Sequence, residues 1–125
     1  MIYIAKNQEK EENIFSSTIA NEENIPKKFL EGILRDLRNG QLLKSRRGAK
    51  GGYLLNKKPE EITLTHIIRL MDGPIALVPC ASINYHETCK ECENEETCRI
   101  KMIFEKVRDS ALQIYDQTSL ASFMK

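Results

Sequence analysis

The segment "LLKSRRGAKGGYLL", residues 42–55, constrains the fold of this chain more than any other stretch. Two apolar ends enclose three glycines and four cations, Lys44, Arg46, Arg47 and Lys50. Glycine supplies the positive φ angles of a tight reversal, so the pattern predicts a β-hairpin with "LLKS" and "YLL" as its strands. Two phosphate-loop readings fail. No G-x-x-x-x-G-K-[ST] register is present, and "YLLNKKPEE" after Gly52 is a strand ending in a turn rather than the opening helix of a dinucleotide fold. A cationic hairpin tip still points to phosphate as its partner.

The charge distribution supports that partner. Residues 24–58 carry ten Lys/Arg against two acids, whereas residues 1–23 carry two against five and residues 59–125 seven against eleven. The overall charge of +1 therefore hides a basic block between two acidic flanks, the electrostatic footprint of a nucleic-acid-binding module. The opening "MIYIAK" is too short an apolar run for a signal peptide or a membrane span. A cytoplasmic protein without membrane association is expected. In that compartment four cysteines are more often metal ligands or redox sensors than structural disulfides.

Helical periods frame the hairpin. Residues 1–9 read as a helix end, with Ile2, Ile4 and Ala5 apolar and the acidic stretch to Asn13 closing it. A short helix is expected after Ser16 as N-cap, through Ile19 and Ala20. "PKKFLEGILRDLRNG" then has Pro26 in a first turn and Gly40 at a stop. Its apolar stripe is Phe29, Leu30, Ile33, Leu34 and Leu37, leaving Lys27, Lys28, Glu31, Arg35 and Arg38 outward. Two short helices, a tight turn and a basic hairpin make a winged helix-turn-helix, whose second helix reads the major groove. Lys28 and Glu31 stand where side chains reach base edges, and Arg47 suits a narrow minor groove. Glu31 also has a plain alternative, an ion pair with Arg35 four residues on; Arg38 is read as a solvated cation.

Beyond the hairpin, "PEEITLTHIIRLMDG" predicts a helix with Thr63 as N-cap and Gly73 past its end, its Leu64, Ile67, Ile68 and Met71 serving as core. His66 is given no chemistry. "CASINYHETCKECENEETC" follows, with Cys80, Cys89, Cys92 and Cys98. Thiolates suit iron-sulfur clusters and zinc. Zinc knuckles use two separated ligand pairs, so three cysteines crowded into one polar loop favour a cluster. Zinc, a thiol-disulfide switch and no cofactor remain alternatives. Five acids, Glu87, Glu91, Glu93, Glu95 and Glu96, surround the cysteines against Lys90; they are expected to raise the thiol pKa values. The final helix, "RIKMIFEKVRDSALQIYD", carries one apolar stripe of Ile100, Ile103, Phe104, Val107, Ala111 and Ile114. Such a stripe either folds back on its own domain or meets a two-fold copy of itself.

The run "S-x-R-G-x-x-G-G-Y-x-L" at 45–55, "I-T-L" at 62–64 and the clustered cysteines before a long helix resemble the Rrf2 family of bacterial transcription regulators, from about residue 14 to the C-terminus. The resemblance implies a mainly α fold: a winged helix-turn-helix with a two-stranded β wing over residues 1–74, its first helix truncated relative to the family pattern; a cysteine-bearing loop over 75–98; and a dimerisation helix and tail over 99–125. It implies a non-enzymatic homodimer that represses or activates from a palindromic operator in double-stranded DNA. The family's DNA contacts fall on Lys28, Glu31, Ser45 and Arg47, with Lys27, Arg35, Arg46 and Lys50 as further cations of the interface.

Its three sensor cysteines match Cys80, Cys92 and Cys98, which implies a 2Fe-2S or 4Fe-4S cluster. The gap between Cys80 and Cys92 is wider than the family's, and Cys89 falls within it. Lys101 stands where some members carry a ligating His, so Cys89 is the expected fourth ligand, with His86 in reserve. Two other classes compete: a small thiol or iron-sulfur carrier without DNA binding, and a protein-binding winged helix. No Ser/His/Asp set, no paired carboxylates in an expected pocket and no C-x-x-C at the start of a helix after a strand supports an enzyme.

Overall fold

The computed structural model describes residues 1–10, 14–48 and 51–125. The elements in order are α1 (Ile2–Asn7), α2 (Ser16–Glu22), α3 (Lys27–Asn39), β1 (Leu43–Arg46), β2 (Gly52–Leu55), α4 (Leu64–Met71) and α5 (Arg99–Gln117), with single 3-10 turns between and after them. The fold is mainly α with one two-stranded antiparallel sheet. It divides into two compact units, residues 1–62 with 119–125, and residues 63–118.

In the first unit, α2 and α3 are joined by a turn built on Asn24, at φ +52°. The Ile25 N–H reaches back to the Ala20 carbonyl at 2.9 Å and the Asn24 N–H to Asn21 at 3.4 Å, a Schellman stop in which Asn replaces the usual Gly. Phe15 rather than Ser16 occupies the N-cap of α2. Helix α3 starts after Pro26 and ends at Asn39. Gly40, the expected stop, keeps φ −77°; the left-handed residue is Gln41 at +60°. Gln41 N–H bonds Arg38 O at 3.0 Å, and Leu42 N–H bonds Leu37 O at 2.9 Å, so the same stop recurs one residue later than glycine placement suggests.

The wing pairs Leu43 with Leu55, Lys44 with Leu54, Ser45 with Tyr53 and Arg46 with Gly52. Its glycines do different jobs. A Cβ at Gly51 would meet the Gly48 and Arg46 carbonyl oxygens at 2.7 and 2.9 Å, so the reversal itself excludes one. Gly52 is excluded from outside the hairpin, by the backbone of Ile14. The root of the wing is fixed from the other side, where Gln8 Oε1 accepts the Leu55 N–H at 3.1 Å. Ile4, Ile14, Leu34, Leu43, Ile62 and Leu120 form the fully buried centre of this unit. Six sequence segments contribute one residue each, so the core is assembled across the chain.

The chain leaves this unit after Ile62 and returns at Ser119. Exit and return are tied by two bonds, Leu120 N–H to Ile62 O at 2.7 Å and Leu64 N–H to Thr118 O at 2.9 Å. In the second unit, α4 is capped by Thr63, whose N–H donates to His66 Nδ1 at 3.2 Å; the lone histidine is a helix cap. Gly73 at φ +91° follows the end of α4. Leu64, Ile67 and Ile68 are half-buried, but Met71 is exposed, contrary to its expected place in the core. Helix α5 packs on α4 and on the turn Pro79–Ala81, where Arg108 donates to the Ala81 carbonyl.

Candidate nucleic-acid interface and cysteine-lined hollow

Helix α3 buries Leu30, Leu34 and Leu37, one residue per turn. That single narrow seam leaves Lys27, Lys28, Glu31, Arg35 and Arg38 all exposed. Phe29, expected in the buried stripe, is instead 66% exposed. Glu31 is held by Lys27 Nζ at 3.9 Å and accepts from Ser16 Oγ at 3.5 Å. Its ion-pair partner is thus the residue four before it, while Arg35 turns to Asp36 at 4.0 Å. Both contacts on Glu31 are long and exposed, so they orient the carboxylate without removing its capacity to accept another donor. On β1 only Leu43 is buried; Lys44, Ser45 and Arg46 are exposed, as is Arg47 beyond it. Lys50 lies outside the described residues.

In the second unit Cys80, Cys89, Cys92 and Cys98 line one hollow of about 470 Å³, with Val78, Ile100 and Lys101. All four are free thiols. Cys98 is the N-cap of α5, and its Sγ accepts the Lys101 N–H at 3.5 Å. The backbone N–H of Lys101, then that of Ile100, draws the Cys98 pKa below that of an ordinary thiol. Loss of water pushes the Cys92 pKa up, and a hydrogen bond with Cys98 adds to it. The surrounding acids were expected to raise every thiol. At Cys98 that expectation fails, because the N–H groups of the helix start outweigh burial and the carboxylate of Glu95.

Glu95 organises the loop. Its Oε2 takes Lys101 Nζ at 2.9 Å and His86 Nε2 at 3.0 Å, and its Oε1 takes the Cys89 N–H at 3.2 Å. These partners, Lys101 first, bring its pKa down to about 2. Glu95 in turn raises the Lys101 pKa, which keeps that amine protonated. His86, the reserve ligand, is thereby committed to Glu95. Neither the Glu95 hub nor the Arg108 prop carries a sequence signal, because their partners lie at aperiodic separations in a polar loop.

Among the described residues no three His, Cys, Asp or Glu side chains gather as a site for a metal ion. A single tetrahedral zinc needs its ligands around one point, and the described residues form no such point. An iron-sulfur cluster distributes its thiolates over several irons. Four thiols facing one roomy hollow fit that group in donor chemistry and in shared wall.

The apolar stripe of α5 divides in two. Ile100, Ile103, Val107 and Ile114 are exposed, whereas Phe104 and Ala111 are half-buried. No residue of α5 is fully buried.

The sequence profile of the Rrf2 family, described as an iron-dependent transcriptional regulator, matches residues 1–125. The chain is 40% identical over 106 residues to an rrf2-like HTH-type transcriptional regulator of Rhodobacter capsulatus, covering 85% of this chain and 71% of that protein. Among solved structures it is similar to CymR, the global cysteine regulator of B. subtilis, with TM-score 0.73, 31% identity and coverage of 98% and 85% of the two chains. It is also similar to IscR of T. potens, with TM-score 0.69, 26% identity and coverage of 96% and 74%.

Proposed function

The chain belongs to the Rrf2 family of transcriptional regulators, and from that premise we propose that it binds a palindromic DNA operator as a two-fold homodimer controlled through its cysteines. The carrying observation is that α3 spends only Leu30, Leu34 and Leu37 on its core and turns its cations outward, ahead of a wing whose Ser45, Arg46 and Arg47 are all exposed.

Helix α3 enters the major groove by its N-terminal turns. Lys28 donates to guanine O6 or N7, and Glu31 accepts from cytosine N4. Lys27, Arg35, Arg46 and Lys50 bind phosphates and fix the register. Ser45 and Arg47 hold the wing against the adjacent minor groove. The exposed Ile100, Ile103, Val107 and Ile114 of α5 meet the same face of a second copy. Phe104 and Ala111, half-buried already, border that seam. Two α3 helices then sit about 34 Å apart, matched to half-sites one helical turn apart.

Cys80, Cys89, Cys92 and Cys98 are the residues that would hold a cluster. Bound, it supplies a redox- and iron-sensitive state to the loop. Lys101, kept cationic by Glu95, stands on the same hollow and offsets the negative charge of thiolates. Gain or loss of the group changes operator affinity by a coupling of about 1–3 kcal/mol. Absorption spectroscopy with iron and sulfide analysis after anaerobic purification tests occupancy. Operator affinities of the loaded and stripped protein at matched salt test control, and equal affinities defeat it.

One observation favours a second reading. Cys92 and Cys98 line the same hollow, and the lowered pKa of Cys98 makes it the better nucleophile. A peroxide or disulfide oxidant could convert that pair to a disulfide, taking two electrons and releasing two protons. Iron-free protein whose operator affinity follows the disulfide content would favour this reading over the cluster.

A further inference from the structure

We propose that Phe29 and Gly32 form an apolar notch on α3 that reads the C5-methyl group of a thymine. The inference rests on α3 entering the major groove, and it adds a specificity element that the charged contacts do not contain.

Phe29 is two-thirds exposed in the first turn of α3, on a helix whose core seam is complete without it. A large apolar ring left in water gains by meeting an apolar surface elsewhere. Gly32 lies three residues on, and such residues are neighbours on one helix side. Glycine is unfavourable in a helix interior relative to alanine, so its presence asks for a local reason. None is found among the described residues: a Cβ at residue 32 would have nothing within 4 Å, and the residue keeps helical φ. Any demand for a missing side chain at Gly32 must come from a molecule approaching from outside.

The charge around the notch selects that molecule. Lys27, Lys28 and Arg35 lie on the same helix, within a stretch of ten cations and two acids. A polyanion suits such surroundings, and within the major groove the apolar feature on the base edges is the thymine methyl. The Phe29 ring would pack against it, and the bare backbone at Gly32 would let the helix come close enough for that contact.

The test uses duplexes enriched by the wild-type chain from a randomised pool, with each thymine replaced in turn by deoxyuridine, which removes only the methyl group. Wild type should lose about 3- to 5-fold in affinity on replacement of either thymine of one symmetry-related pair. Phe29→Ala should bind thymine and deoxyuridine duplexes equally at that pair. Gly32→Ala should melt at a higher temperature yet lose the thymine preference, a combination that a purely structural glycine would not give. Persistence of the preference in Phe29→Ala overturns the notch, as does a wild type indifferent to every methyl. If wild type binds duplexes with the expected salt dependence but ignores methyl groups, only the notch fails. If it enriches no duplex at all, the DNA-binding reading fails with it.

Discussion

Gly52 and Ile14 meet backbone to backbone: the Ile14 carbonyl accepts the Tyr53 N–H at 2.8 Å, and a Cβ on Gly52 would stand 2.7 Å from that same oxygen. Gly52 also holds φ +123°, a conformation that disfavours L side chains. Gly52→Ala should therefore destabilise the protein by about 1–3 kcal/mol. Urea denaturation is the measurement, and a loss below the error of the fit would show that Ile14 can yield.

Arg47 stands exposed beside Gly48 at the start of the wing's reversal. Arg47→Ala should weaken operator binding and lower the slope of log affinity against log salt by about 1, as expected on withdrawing one cation from the minor groove. Titrations at several salt concentrations measure it. Unchanged affinity and an unchanged slope would remove Arg47 from the DNA interface.

Cys98 has its pKa lowered by backbone N–H groups, while Cys92 has its pKa raised. A lowered thiol pKa enlarges the thiolate fraction at a given pH. As pH is raised, iodoacetamide should label Cys98 of the metal-free protein before Cys92. Peptide mass mapping across a pH series resolves the order, and labelling of Cys92 first would contradict the helix-start geometry. Cys98→Ser keeps an acceptor for the Lys101 N–H, so it should preserve the start of α5 better than Cys98→Ala.

Glu95 titrates near pH 2 in the folded chain against about 4.5 for an ordinary glutamate. Its depressed pKa means that the stabilisation is fully present above pH 4.5 and fades as pH falls towards 2. Protection of the Cys89 amide, which donates to Glu95, should decline across that window after correction for intrinsic exchange. Glu95→Gln should remove that step. A wild type and variant with the same profile would assign the acid response to another group.

Ile103 and Val107 lie one turn apart on the exposed side of α5. The double change Ile103→Glu with Val107→Glu should convert a dimer to a monomer in analytical ultracentrifugation while leaving the helical circular dichroism intact. A dimer that survives both charges would have to be joined elsewhere.

Much of this architecture can be read from residue order, and the misses share a cause. Helix α3 is legible because Leu30, Leu34 and Leu37 recur once per turn after Pro26. Its end is displaced because Gln41, not Gly40, adopts the left-handed turn; hydrogen bonds to Arg38 and Leu37 compensate for a side chain there. Phe29 shares the period of buried Leu30 and Leu34, and Met71 that of half-buried Ile67 and Ile68, yet both are exposed. Periodicity identifies a helix face and is silent on whether the same chain covers it. At the cysteines, a count of nearby acids predicts raised pKa values, whereas two N–H groups aimed at Cys98 reverse the sign. Direction and distance decide that balance, and neither is visible in composition. The hub at Glu95 joins residues six and nine positions away, a spacing with no helical or strand period to announce it.

The bonds between Leu120 and Ile62 and between Leu64 and Thr118 place departure and re-entry side by side. Residues 63–118 are thus a cassette whose flanking residues, Ile62 and Leu120, already meet. Because the host's ends already meet there, excising the cassette or swapping in a different one would leave the remaining chain little distance to bridge.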